Sequence, residues 1–98
     1  MRKREAVAAL TGQAEAIKAL GATSLYIFGS TVRDDATPDS DIDLFIDYDR
    51  ASGFSLIELV GIKQMLEDRL GMGVDITTRD SLDPMLRDKI EMSAERIF

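Results

Sequence analysis

The chain has 98 residues, 18 acidic and 12 basic, giving a formal charge of −6, and it contains neither cysteine nor histidine. That composition excludes disulfides, thiolate-bound zinc, imidazole-bound metals and Ser-His-Asp chemistry, so any metal must be held by oxygen ligands, which favours Mg²⁺, Mn²⁺ or Ca²⁺. The acidic balance disfavours a nucleic-acid substrate and suits a basic protein partner; there is no apolar run of membrane-spanning length, and residues 1–98 are expected to form a single domain.

Val7, Leu10, Ala14 and Ile17 recur at three- and four-residue spacing, which predicts one amphipathic helix over about residues 3–20 with its stop at Gly21. Leu25-Tyr26-Ile27-Phe28 reads as a buried strand. Gly29-Ser30 follows as a tight turn, a short helix is expected over residues 30–34, and residues 36–40 have loop composition. From Asp41 to Asp47 the chain alternates. Ile42, Leu44 and Ile46 point one way and Asp41, Asp43 and Asp47 the other, with Phe45 as the exception on the acidic face. Residues 49–53 read as a turn, and Asp47 and Asp49 as solvated residues at the end of the strand. Ser55-Leu56-Ile57-Glu58 fits a capping box, after which Leu59, Ile62, Leu66 and Leu70 continue at helical spacing until Gly71 and Gly73 end the helix. Residues 73–78 alternate again, with Val74 and Ile76 opposite Asp75. Asp83-Pro84 predicts a final helix running to Phe98, with Leu86, Ile90, Ala94 and Ile97 on its buried face. Met92 and Phe98 would mark an interface if exposed. The expected order is α-β-α-β-α-β-α, an α/β class built on a small sheet flanked by helices.

The acidic strand carries the chemistry. Strand residues i and i+2 lie about 6.6 Å apart and point the same way, so Asp41 and Asp43 can converge on one ion or on two. Asp75 joins them if its strand is adjacent and in register. Carboxylates about 4 Å apart repel by about 4 kcal/mol at an effective dielectric near 20, and neither acidic strand contains a Lys or Arg to offset this. A divalent cation is the natural partner. An Asp-x-Asp alone is more often a solvated strand face, a Gly-Ser alone a simple turn, and Arg33 alone a surface ion pair. Their order changes that weighting: strand, Gly29-Ser30, ten intervening residues, then Asp41-x-Asp43, with Asp75 on the next strand. Glycine lets a backbone approach a phosphate, and Arg33, one helical turn beyond, can add a charged fork.

This pattern resembles the active-site signature of the nucleotidyltransferase superfamily that includes DNA polymerase beta, and more narrowly the minimal nucleotidyltransferase (MNT) antitoxins paired with HEPN toxins. The resemblance implies a small mixed β-sheet. It assigns Asp41, Asp43 and Asp75 to catalysis and to two Mg²⁺ ions, and Gly29, Ser30 and Arg33 to the triphosphate of ATP. It further implies transfer of AMP to a tyrosine of a HEPN ribonuclease toxin, a hetero-oligomer with that toxin, no direct nucleic-acid contact and a cytoplasmic location. Two alternatives remain beside it: a non-catalytic antitoxin of the same fold that acts by occlusion, and a nucleotidyltransferase subunit acting on a small molecule.

Overall fold

The computed structural model describes residues 2–33 and 40–98. Where the apolar period predicted one N-terminal helix there are two, α1 (Lys3–Thr11) and α2 (Ala14–Ala19). The apolar stripe runs through both, and Ala6, Leu10 and Ile17 are fully buried. The interruption falls at Gly12-Gln13, where the Gln13 N–H turns back to the Leu10 carbonyl at 3.0 Å. Glycine costs about 1 kcal/mol relative to alanine inside a helix, so the break falls where helix is least favoured. Gly21, at φ 112°, then swings the chain into β1 (Ala22–Phe28).

Strand β2 (Ile42–Tyr48) pairs antiparallel with β1 and parallel with β3 (Val74–Thr78). A parallel pair needs a long crossover, which α3 (Leu56–Leu70) supplies. The capping box forms: Ser55 Oγ accepts the Ile57 N–H, and the Ser55 N–H donates to Glu58 Oε2 at 2.9 Å. Gly71 ends α3 in the left-handed conformation at φ 70°. The apolar side chains of β1, β2 and β3, including Leu25, Ile27, Leu44, Ile46 and Ile76, pack with Leu10, Ile17, Ile62 and Leu66 into a continuous core on one face of the sheet.

The C-terminal prediction needs correction. Asp83 does open a helical turn, accepting the Met85 N–H on Oδ1 and the Leu86 and Arg87 N–H groups on its carbonyl. Regular helix is confined to α4 (Arg87–Ser93), and Ala94 turns extended into β4 (Glu95–Arg96), which pairs antiparallel with β1. The Ile97 N–H donates to the Leu25 carbonyl at 2.8 Å, so the tail satisfies an edge of β1 that a longer helix would have left open. The face Leu86–Ile90–Ala94–Ile97 therefore does not form, and Leu86 is exposed. The sheet order is β3-β2-β1-β4: a small mixed sheet with flanking helices, in the element order α-α-β-β-α-β-α-β. Residues 30–33 form a turn rather than the start of a helix, closed by the Arg33 N–H on the Gly29 carbonyl at 3.3 Å. Asp34 and most of the expected loop lie outside the described residues.

Candidate active site

The sheet face opposite the core is built by strand alternation. Ser24, Tyr26 and Phe28 on β1 stand opposite Asp47, Phe45 and Asp43 on β2, and Asp43 in turn stands beside Asp75 on β3. The register thus aligns Phe28, Asp43 and Asp75 in one row across three strands, with Gly29 directly after Phe28. Asp41, just ahead of β2, lies two residues from Asp43 and is exposed, as is Asp75.

Two glycines make room for the carboxylates. A Cβ at Gly29 would overlap Asp43 Oδ2, and Gly29 also sits at φ 79°, where other residues are strained. A Cβ at Gly73 would overlap Asp41 Oδ1, with no unusual φ to reinforce the requirement. The Asp43 carboxyl is pushed above its ordinary range. Burial is the main cause, followed by the negative charges of Asp75 and Asp41, while Arg33 pulls the other way. Asp43 therefore feels both other aspartates and the predicted arginine. Even so, among the described residues no group of three Asp, Glu, His or Cys side chains is gathered tightly enough to form a ready-made metal cage. The two observations differ because charge repulsion reaches well beyond the contact distances that coordination requires.

Gly29, Ser30, Arg33 and Asp43 line a single open pocket of about 650 Å³. α4 also lines it, contributing Lys89, Ile90 and Ser93. The sequence pattern missed those three, because a helix reveals its apolar stripe but not which sheet edge it will overhang. Asp41 and Asp75 do not line the pocket themselves and adjoin it through Asp43.

A second polar cluster occupies the far end of the same face. Arg79 donates from Nε to Asp47 Oδ1 at 2.8 Å and from Nη2 to Oδ2 at 3.0 Å, while Nη1 reaches Glu91 Oε2 on α4 at 3.1 Å. Its guanidinium lies 4.8 Å from the ring centre of Tyr26 and 5.0 Å from that of Phe45. Burial alone would raise the Asp47 pKa, but hydrogen bonds from Arg79 and Ser24 outweigh it and hold the carboxyl below its usual range. Asp47 is thus an ion-paired anchor rather than a solvated strand end. Asp49 accepts the Ala51 N–H at 2.9 Å and shapes the turn after β2. The smaller pocket beside this cluster, about 190 Å³, is lined by Asp47, Arg79 and Asp80, whose charges already satisfy one another or their neighbours. It offers less to a substrate than the Gly29–Asp43 pocket. Phe45, the apolar exception on the acidic face, is fully buried and stacked on Tyr26 with ring centres 4.7 Å apart. It fills the middle of the face between the two polar ends.

The nucleotidyltransferase domain family matches residues 10–97, nearly the whole chain. The chain belongs to that family. This nucleotidyltransferase is 40% identical over 70 residues to MJ0435 of Methanocaldococcus jannaschii, named as a protein adenylyltransferase, in a match covering 71% of the chain and 73% of MJ0435. It is 36% identical over 62 residues to protein adenylyltransferase MntA of Thermococcus cleftensis, covering 63% of the chain and 61% of MntA. A solved minimal nucleotidyltransferase superposes with a TM-score of 0.76 at 31% identity, over 97% of this chain and 95% of that one. A toxin–antitoxin assembly solved with AMP-PNP shares the fold at a TM-score of 0.71 and 19% identity, over 90% of this chain and 72% of that one. The Gly-Ser turn and the aspartates of the sheet are thus read within a nucleotidyltransferase. Among the described residues, no helix is long and apolar enough to cross a membrane.

Proposed function

We propose that this nucleotidyltransferase moves AMP from ATP onto a tyrosine of a partner ribonuclease toxin of the HEPN type, and thereby acts as its antitoxin. The observation that carries the reading is the position of Asp43, with Gly29 against its carboxylate on one side and Asp75 beside it on the other. Gly29, Ser30 and Arg33 hold the triphosphate, and Asp41, Asp43 and Asp75 hold two Mg²⁺ ions. The donor set fits such ions: every donor is a carboxylate oxygen, the Asp43 carboxyl is surrounded by more negative than positive charge, and glycines leave space beside both Asp41 and Asp43. When bound, the ions neutralise charge that develops on the reacting phosphate oxygens.

In the reaction, the tyrosine oxygen attacks the α-phosphorus of ATP. The bond from that phosphorus to the oxygen bridging toward the β-phosphate breaks, and pyrophosphate leaves. The hydroxyl proton passes to the exposed carboxylate of Asp75. None of these steps needs the imidazole or thiol that the chain lacks. The protein acceptor is supported by the names of the two relatives and by the toxin–antitoxin pair that a protein named MntA forms in a solved structure.

Neutralisation by seating alone is the second reading. Met85 and Met92, 90% and 89% exposed, sit on the segment that overhangs the pocket and would favour a partner docked there. Labelled ATP, Mg²⁺ and a candidate HEPN toxin separate the two. Label on a toxin tyrosine, lost in Asp43→Asn, supports transfer; toxin inhibition that survives Asp43→Asn without any label replaces transfer with occlusion.

A further inference from the structure

Lys89 lines the pocket from α4, an element separate from the Gly29-Ser30 turn. With Arg33 it is one of two cations lining that pocket among the described residues, and the Lys89 ammonium has no ion pair or hydrogen bond among those residues. The helix that carries it is anchored through Glu91, two residues further along α4, which pairs with Arg79 at 3.1 Å. A lysine is a compact point charge on a flexible stem, suited to phosphate oxygens whose position varies along a chain. A triphosphate carries two more charged phosphate groups than a monophosphate, and Lys89 is a cation lining the same pocket as Gly29 and Asp43.

We infer that Lys89 holds the outer phosphates of the bound nucleotide from the α4 wall, and so makes the site selective for a triphosphate over a monophosphate. The inference rests on the ATP-dependent reading above. It assigns to α4 a role in grasping the part of the substrate that departs as pyrophosphate.

The test is calorimetric titration of the full chain with AMP-PNP plus Mg²⁺ and, separately, with AMP plus Mg²⁺, for wild type, Lys89→Met and Lys89→Arg. Lys89→Met is expected to weaken AMP-PNP binding about tenfold and to flatten its dependence on salt, as loss of one phosphate-contacting cation should. AMP binding should be unchanged, and Lys89→Arg should stay within about threefold of wild type. Equal AMP-PNP affinity in wild type and Lys89→Met, or an equal loss for AMP, overturns the inference and leaves a solvated lysine. A wild-type chain that takes up no AMP-PNP removes the ATP-dependent reading itself, an outcome visible before any variant is compared. Because Lys89 is exposed, all three proteins should melt at the same temperature, which separates lost binding from lost folding.

Discussion

Asp43 is where stability and activity pull in opposite directions. Its carboxyl titrates above the usual range in the folded chain because burial and two neighbouring aspartates disfavour the charge. A group whose pKa rises on folding contributes stability below its unfolded value of 3.8 and loses it as pH climbs through the raised folded value. At neutral pH without metal, ionised Asp43 is therefore a burden on the fold. Asp43→Asn is expected to be at least as stable as wild type in urea titration at pH 7 while losing AMP transfer; a large loss of stability would assign Asp43 to the scaffold. The two glycines offer a contrast. Gly29→Ala meets both a left-handed φ and Asp43, so it should cost about 1–2 kcal/mol from conformation alone, and more from the contact. Gly73→Ala meets only the Asp41 carboxylate, so stability should barely move, while activity falls on the order of 100-fold if a displaced Asp41 matters. Equal melting temperatures for the two variants would contradict the left-handed requirement at Gly29. The aspartates and the Gly-Ser turn were legible in sequence because strand alternation fixes which side chains share a face. Gly73 was legible only as a helix stop, since its second task depends on where Asp41 folds back.

At the scale of elements, the face opposite the core is held shut at one end and open at the other. Arg79 closes it by bridging β2 to α4 through Asp47 and Glu91 over a stack of Tyr26 and Phe45. Paired, forked hydrogen bonds of this kind contribute about 1–3 kcal/mol, so Arg79→Met should destabilise the chain by that order and loosen α4 over the pocket. Asp47 gives the pH signature. Its pKa is lowered on folding, so its contribution is present above 3.8 and is lost as pH falls through the lower folded value. The urea-measured gap between wild type and Arg79→Met should accordingly narrow at strongly acid pH; a gap that stays constant would mean that the ion pair contributes nothing and only the ring contacts matter. None of this bridge was readable beforehand, because Arg79 and Asp47 are 32 positions apart and meet only through the parallel β2–β3 register. The elements that were readable, α3 above all, carry their start and stop in adjacent residues, Ser55 with Glu58 and then Gly71. α4 was overcalled because Leu86, Ile90, Ala94 and Ile97 keep a helical period, yet the open edge of β1 captured the last residues as strand.

For the whole molecule, a site formed by a turn, three strands and the last helix can be complete only in the folded chain, so its ligand must stabilise folding. Binding to the native state alone adds about 2.7 kcal/mol when free ligand exceeds its dissociation constant 100-fold. In a domain of this length each kcal/mol moves the melting temperature by about 4–8 °C, so saturating AMP-PNP with Mg²⁺ should raise it by more than about 10 °C. The rise should vanish with EDTA and in Asp43→Asn. It should also shrink on acidification at a higher pH than an ordinary aspartate would impose, because protons compete with the metal for a carboxyl whose pKa is already raised. A melting shift that persists in EDTA and in Asp43→Asn would mean that nucleotide binds away from the sheet face, and the row of Phe28, Asp43 and Asp75 would then be geometry without chemistry.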